Sequence, residues 1–96
     1  MSDPSERREN RRHQIEVPVH FERGTGVSRD ISLTGIYFTT SELLAAGEPL
    51  KLSFKLDYAI PGKSLHLDCQ GQILRVEEFD THYGIAAKID AVTYLH

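Results

Sequence analysis

Tryptophan is absent from this chain, cysteine and methionine occur once each, and no apolar run comes near the ~20 residues that a membrane-spanning helix needs. A single cysteine rules out an internal disulfide and a multi-cysteine zinc centre. Cys69 lies in the apolar stretch Leu65 to Val76 beside Asp68, which suits a small packing residue and not an activated thiol. The N-terminus has no apolar segment for secretion, so the cytoplasm is the expected location and no membrane insertion is expected. His13, His20, His66, His82 and His96 are scattered, with no His-x-x-x-His pair, so no metal site is expected. Neither a Gly-x-Ser-x-Gly elbow nor a phosphate-cradling glycine loop occurs, and Glu77-Glu78 reads as a solvated loop end. A non-enzymatic protein without a cofactor is the expectation.

What is present is one domain's worth of ordinary globular sequence: 96 residues, 40% hydrophobic and 26% charged, enough for one core. The net charge of −3 is unevenly placed. Residues 1–13 hold Arg7, Arg8, Arg11 and Arg12 against Asp3, Glu6 and Glu9, so this end is positive and the remainder is acidic. No aliphatic or aromatic residue occurs from Ser2 to Gln14, so burial cannot order that segment. It is expected to be a flexible tail over residues 1–13, followed by a folded domain over 14–96.

That domain reads as strands. Ile15, Val17, Val19 and Phe21 alternate with polar residues and Pro18, the period-two pattern of a half-buried strand, with Pro18 confined to an edge or bulge. Gly24-Thr25-Gly26 signals a turn, Val27 to Ser32 a returning strand and Gly35 a bend. Ile36 to Thr40 follows as a third strand. Ser41 to Gly47 has a capping residue, helix formers and a closing glycine, which predict one short helical turn. Leu50, Leu52, Phe54 and Leu56 alternate with Lys51, Ser53 and Lys55 in the clearest strand, turned around by Tyr58 to Lys63. Leu65 to Val76 predicts a long strand bulged or bent at Gly71. Glu77 to His82 is a loop around Phe79, Tyr83 to Ile89 a last strand whose Gly84, Ala86 and Ala87 permit close approach of a neighbour, and Asp90 a cap for a short helix over 91–95. Six strands with short connections predict an all-β, six-stranded antiparallel barrel, because closure removes exposed edges.

Two polar stretches are not explained by a core. Four arginines fall within six positions, Arg7 to Arg12; guanidinium groups are planar, permanently charged and able to pair with phosphate oxygens or with the acceptor edge of guanine. Asp30-Ile31-Ser32-Leu33-Thr34-Gly35 offers complementary chemistry. An aspartate accepts from the N1–H and N2–H2 edge of guanine or holds an arginine. A serine hydroxyl reaches phosphate or ribose oxygens, and a glycine admits close backbone contact. The same residues also make an Asx or serine turn that does nothing but close a hairpin.

The pair Arg8-x-x-x-Arg12 and Asp30-x-Ser32-x-x-Gly35, in this order and with the strand Ile15 to Val19 between them, resembles the signature of PilZ domains, bacterial receptors for cyclic di-GMP. The resemblance spans nearly the whole chain. It implies a six-stranded split-type barrel and a ligand-binding set of Arg7, Arg8, Arg12, Asp30, Ser32 and Gly35, with Arg7 at the place that in relatives accompanies binding of an intercalated ligand dimer. Arg11 and Arg75 are further candidates. It also implies that ligand binding orders the arginine segment and alters a surface read by a downstream protein, with motility, adhesion or polysaccharide export as output. A monomer or weak homodimer is expected.

Two other classes compete with this one. A PilZ-like adaptor that has lost the nucleotide would bind only protein, although such relatives usually lack the arginines. A nucleic-acid barrel would stack bases on Tyr37, Phe38, Phe54, Tyr58 and Tyr83. Alternation assigns most of these to the core, and an acidic barrel disfavours DNA or RNA.

Overall fold

The computed structural model describes residues 14–60 and 63–95. The expected tail with Arg7, Arg8, Arg11 and Arg12, and the Pro61-Gly62 turn, lie outside the described residues. Six strands occur in the order β1 (Pro18–Phe21), β2 (Gly24–Ile31), β3 (Gly35–Thr40), β4 (Pro49–Ile60), β5 (Lys63–Glu78) and β6 (Tyr83–Leu95). They close into a barrel of order β1-β2-β3-β6-β5-β4, with every pairing antiparallel. The expected all-β six-stranded barrel is therefore the observed one.

Alternation places the core. Val19, Ile36, Phe38, Leu50, Leu52, Phe54, Leu67, Cys69, Ile73, Ile85 and Ala87 point inward and are buried, and Leu44 plugs one end from the β3–β4 connection. Pro18 pairs with Val27 of β2, while β1 meets β4 only at His20 and Phe21, so Pro18 sits on the strand's free side as a residue without an N–H must.

Three local expectations are corrected. Gly24 to Gly26 is not the β1–β2 turn: Gly24 pairs with Phe21 and Gly26 with Val19, leaving Glu22 and Arg23 as a two-residue turn. A Cβ on Gly26 would collide with the Thr39 carbonyl, so its glycine serves strand contact. Ser41 to Gly47 forms no helix. Its backbone bonds elsewhere, with Leu43 O accepting from Arg23 Nη1 at 3.1 Å, Gly47 N donating to Ile73 O at 2.7 Å, and Gly47 at φ 92°. Carrying Leu44 into the barrel end outweighs a single helical turn with no cooperative support. Residues 91–95 likewise continue β6, because β5 runs long enough to pair with them from His66 to Gln70.

Four irregularities interrupt the ladders, one of them beside the β4–β5 turn, where pairing steps from Leu56↔Leu65 to Ile60↔Lys63. Pairing steps from Ser28↔Phe38 to Asp30↔Tyr37, so Arg29 is an extra residue on β2. It steps from Ile73↔Ala87 to Arg75↔Ala86, so Leu74 is extra on β5. The irregularity expected at Gly71 is present, with Gln70↔Ala91 followed by Gly71↔Ile89 and Asp90 as the extra residue on β6. Each single-residue bulge reverses which face the following residues occupy.

Candidate functional site

The Arg29 and Leu74 bulges build the site. Ser28 and Ile73 face inward and are buried, so a regular strand would carry Asp30 and Arg75, two residues further, into the core. Each extra residue shifts the phase by one and turns a charged side chain outward. The register then aligns Asp30↔Tyr37, Tyr37↔Ala86 and Ala86↔Arg75, a single outer row across β2, β3, β6 and β5. At ~4.8 Å per strand, its two charged ends are separated by a floor made of Tyr37 and the small Ala86.

Two open grooves flank this row and share Asp30 and Tyr37. One, about 610 Å³, is lined by Gln14, Glu16, Arg29, Thr39, Phe79 and His82 with the shared pair. The other, about 480 Å³, adds Thr34, Gly35, Leu74, Arg75, Glu77, Ala86 and Lys88. Charges of both signs border them: Arg29 meets Glu16 at 3.8 Å, and Lys88 meets Asp90 at 3.6 Å. The ring of Phe79 stacks on His82 with centroids 4.9 Å apart at 24°.

The corner at Ser32 to Gly35 is held by its own hydrogen bonds. Ser32 N donates to Gly35 O at 2.9 Å, and Ser32 Oγ accepts from Gly35 N at 3.1 Å and from Thr34 N at 3.3 Å. The hydroxyl donates back to Gly35 O at 3.3 Å. A serine hydroxyl has one donor and two acceptor positions, and all three are engaged here. The turn-closing role is thus observed directly for Ser32, and Gly35 lines the second groove. Ile89 N donates to Thr34 O at 2.9 Å, tying the corner to β6.

On the opposite bank, Tyr37 Oη donates to Glu77 Oε1 at 2.8 Å and Arg75 Nε donates to Glu77 Oε2 at 3.1 Å. Burial, and then the bond to Glu77, raise the Tyr37 phenol above its ordinary range. The Tyr37 and Arg75 bonds hold the Glu77 carboxyl below its own. Gly84 makes room for this network, since a Cβ there would collide with Tyr37 Oη. The expectation that Gly84 permits close approach holds, and the neighbour is Tyr37.

Of the sequence-derived candidates, Asp30, Gly35 and Arg75 line one groove, with Ser32 at its corner. Glu77, expected as a solvated loop end, is instead a strand residue bonded at both carboxylate oxygens. Tyr37, one of the five aromatics weighed as stacking platforms, most of which alternation assigns to the core, is outward. Its position between buried Ile36 and Phe38 already carried that signal, whereas nothing local marked Glu77 as its partner.

The entry of the chain into this wall is anchored. Ser28, fully buried, accepts from Val17 N at 3.0 Å through Oγ, which in turn donates to Ile15 O. Ser28 N also donates to Val17 O at 3.0 Å. These bonds fasten residues 15–17 along β2 and bring Gln14 to the first groove.

Comparison with known proteins adds two findings. The PilZ domain family model matches residues 5–94, a span that includes all four N-terminal arginines and the Asp30 to Gly35 corner. Among solved structures, the Bacillus subtilis inhibitor of motility MotI/DgrA is similar with a TM-score of 0.76 at 17% sequence identity, over 91% of this chain and 44% of that one. The chain thus spans less than half of that protein's length, and the likeness is one of fold. No curated protein matches the chain.

Proposed function

The chain belongs to the PilZ domain family, and from that premise we propose that it is a cyclic di-GMP receptor whose ligand clamps the N-terminal arginine segment against the outer barrel wall. Arg8 and Arg12 take phosphate oxygens and the Hoogsteen edge of guanine. Asp30 takes the opposite side, Ser32 and Gly35 shape the rigid corner, and Arg7 stacks on a base if two ligand molecules intercalate. Arg11 adds positive field.

The observation that carries this reading is that Gln14 and Asp30 line one groove. An extended chain advances at most about 3.6 Å per residue, so a segment that starts at Gln14 needs no more than two residues, a span of up to about 7 Å, to present Arg12 to that groove. Arg8 is within reach of about 22 Å by the same measure. Asp30 itself faces the groove only because of the Arg29 bulge, a device that occurs next to binding sites. Fixing the arginine segment costs on the order of 1–2 kcal/mol per residue, which charge-assisted hydrogen bonds to a doubly anionic ligand must outweigh.

The signalling step is a changed surface: once clamped, the segment and the barrel wall form a composite face that a downstream protein reads. Similarity to an inhibitor of motility supports control of motility among the outputs of such a face. The protein acts without catalysis, as a binding module.

Calorimetric titration with cyclic di-GMP tests this. The expected result is binding by the wild type, weakened at least about tenfold by Arg8→Ala and by Asp30→Ala, or about 1.4 kcal/mol. Unchanged affinity in both variants removes the assigned site. A folded wild type that gives no binding favours the protein-only adaptor.

A further inference from the structure

Arg75 is held through Nε. Its Nε donates to Glu77 Oε2 at 3.1 Å, while the other oxygen of the same carboxylate accepts from Tyr37 Oη at 2.8 Å. Glu77 is therefore fixed at both oxygens, by its own strand and by β3. Among the described residues, Arg75 Nη1 and Nη2 make no hydrogen bond or ion pair. An arginine tethered through Nε keeps a planar, two-pronged donor edge that matches paired acceptors such as N7 and O6 of guanine.

Its place in the row gives that edge a counterpart. Asp30 stands at the other end of the register Asp30, Tyr37, Ala86, Arg75. The ends of this row thus present an acceptor and a donor pair across a floor made shallow by Ala86. Of the ligand's two guanines, one turns its Hoogsteen edge to Arg8 and Arg12; the other, on that floor, meets Asp30 with its N1–H and N2–H2 donors and Arg75 with its O6 and N7 acceptors. An adenine carries an amino donor where guanine has O6, so it opposes the Arg75 edge. The tether reduces the freedom that an unrestrained arginine would lose on binding.

We infer that Arg75 is a specificity-determining residue that distinguishes guanine from adenine in the bound nucleotide, and that Glu77, itself braced by Tyr37, is its positioning residue. This rests on the cyclic di-GMP reading and deepens it.

The test is calorimetry with cyclic di-GMP and cyclic di-AMP on the wild type, Arg75→Ala, Glu77→Ala and the double variant, with melting temperature as the folding control. Arg75→Ala is expected to weaken cyclic di-GMP about tenfold or more while leaving cyclic di-AMP little changed, so that the preference narrows. Glu77→Ala is expected to do the same to a lesser degree, and the double variant to bind no worse than Arg75→Ala alone. Should Glu77→Ala fail to fold, Tyr37→Phe removes only the bracing hydroxyl and takes its place. Wild-type selectivity in Arg75→Ala, beside normal wild-type binding, overturns the inference and leaves the receptor reading standing. Independent, multiplying losses in the double variant overturn the role given to Glu77. Absence of binding by the wild type overturns both readings.

Discussion

Tyr37 on β3 donates to Glu77 on β5 at 2.8 Å, reaching over β6 where Gly84 leaves the space, although the two residues are 40 positions apart. That bond joins the far bank of the groove to the strand that also carries the Asp30 pairing.

Its pH window follows from the two shifts. Glu77 is held below the ordinary carboxylate range, so its contribution is complete above that range and disappears as pH falls through its lowered value. Tyr37 is raised above 10.0, which favours its neutral form in the fold. Its contribution is complete below 10.0 and is lost as pH rises through the raised value. Titration of tyrosine absorbance is expected to show one phenol ionising above the ordinary range, absent in Tyr37→Phe. The stability difference between the wild type and Glu77→Gln should shrink below pH ~4. A Tyr37 that titrates normally would contradict the bond.

Gly84→Ala introduces a Cβ that would collide with Tyr37 Oη and stand 2.7 Å from its Cζ. Neither the strand pairing nor the ring can yield without breaking the Glu77 bond. Destabilisation of about 1–3 kcal/mol is expected, read as a lowered denaturation midpoint. Tyr37→Ala in the same chain should recover part of it, because the clash is with that ring.

Ser28→Ala removes the acceptor for Val17 N and the donor to Ile15 O at a fully buried position. Unsatisfied buried backbone groups cost about 1–3 kcal/mol. Chemical denaturation should show that loss, and amide exchange should quicken at Val17, where the arginine segment joins the barrel.

Cys69 is buried among Leu52, Leu67 and Ile73, and burial, aided by Asp68, pushes its thiol up to about 11. A thiol so shielded and so weakly ionised is a poor nucleophile. Thiol reagents at pH ~8 are expected to modify the native protein far more slowly than the unfolded chain. Rapid native labelling would argue against the inward register of β5.

Burial alternation in Leu50-Lys51-Leu52-Ser53-Phe54 and Ile36-Tyr37-Phe38 is legible in the residues themselves, since the period of side-chain direction is a local property of an extended chain. So is the number of strands. The helical turns expected after Thr40 and after Asp90 failed for a common reason: both segments carry good local signals, yet longer-range partners, Ile73 and the far half of β5, claim their backbone groups.

The chain on its own determined an all-β barrel, its core residues, and the positions of an arginine run and an aspartate–serine–glycine corner. It did not determine that Asp30, Tyr37, Ala86 and Arg75 share a row. That came from two extra residues, Arg29 and Leu74, neither a glycine and neither marked by its neighbours. A bulge exists only relative to the strand it faces, so the outward turn of these charges was decided by pairing in three dimensions.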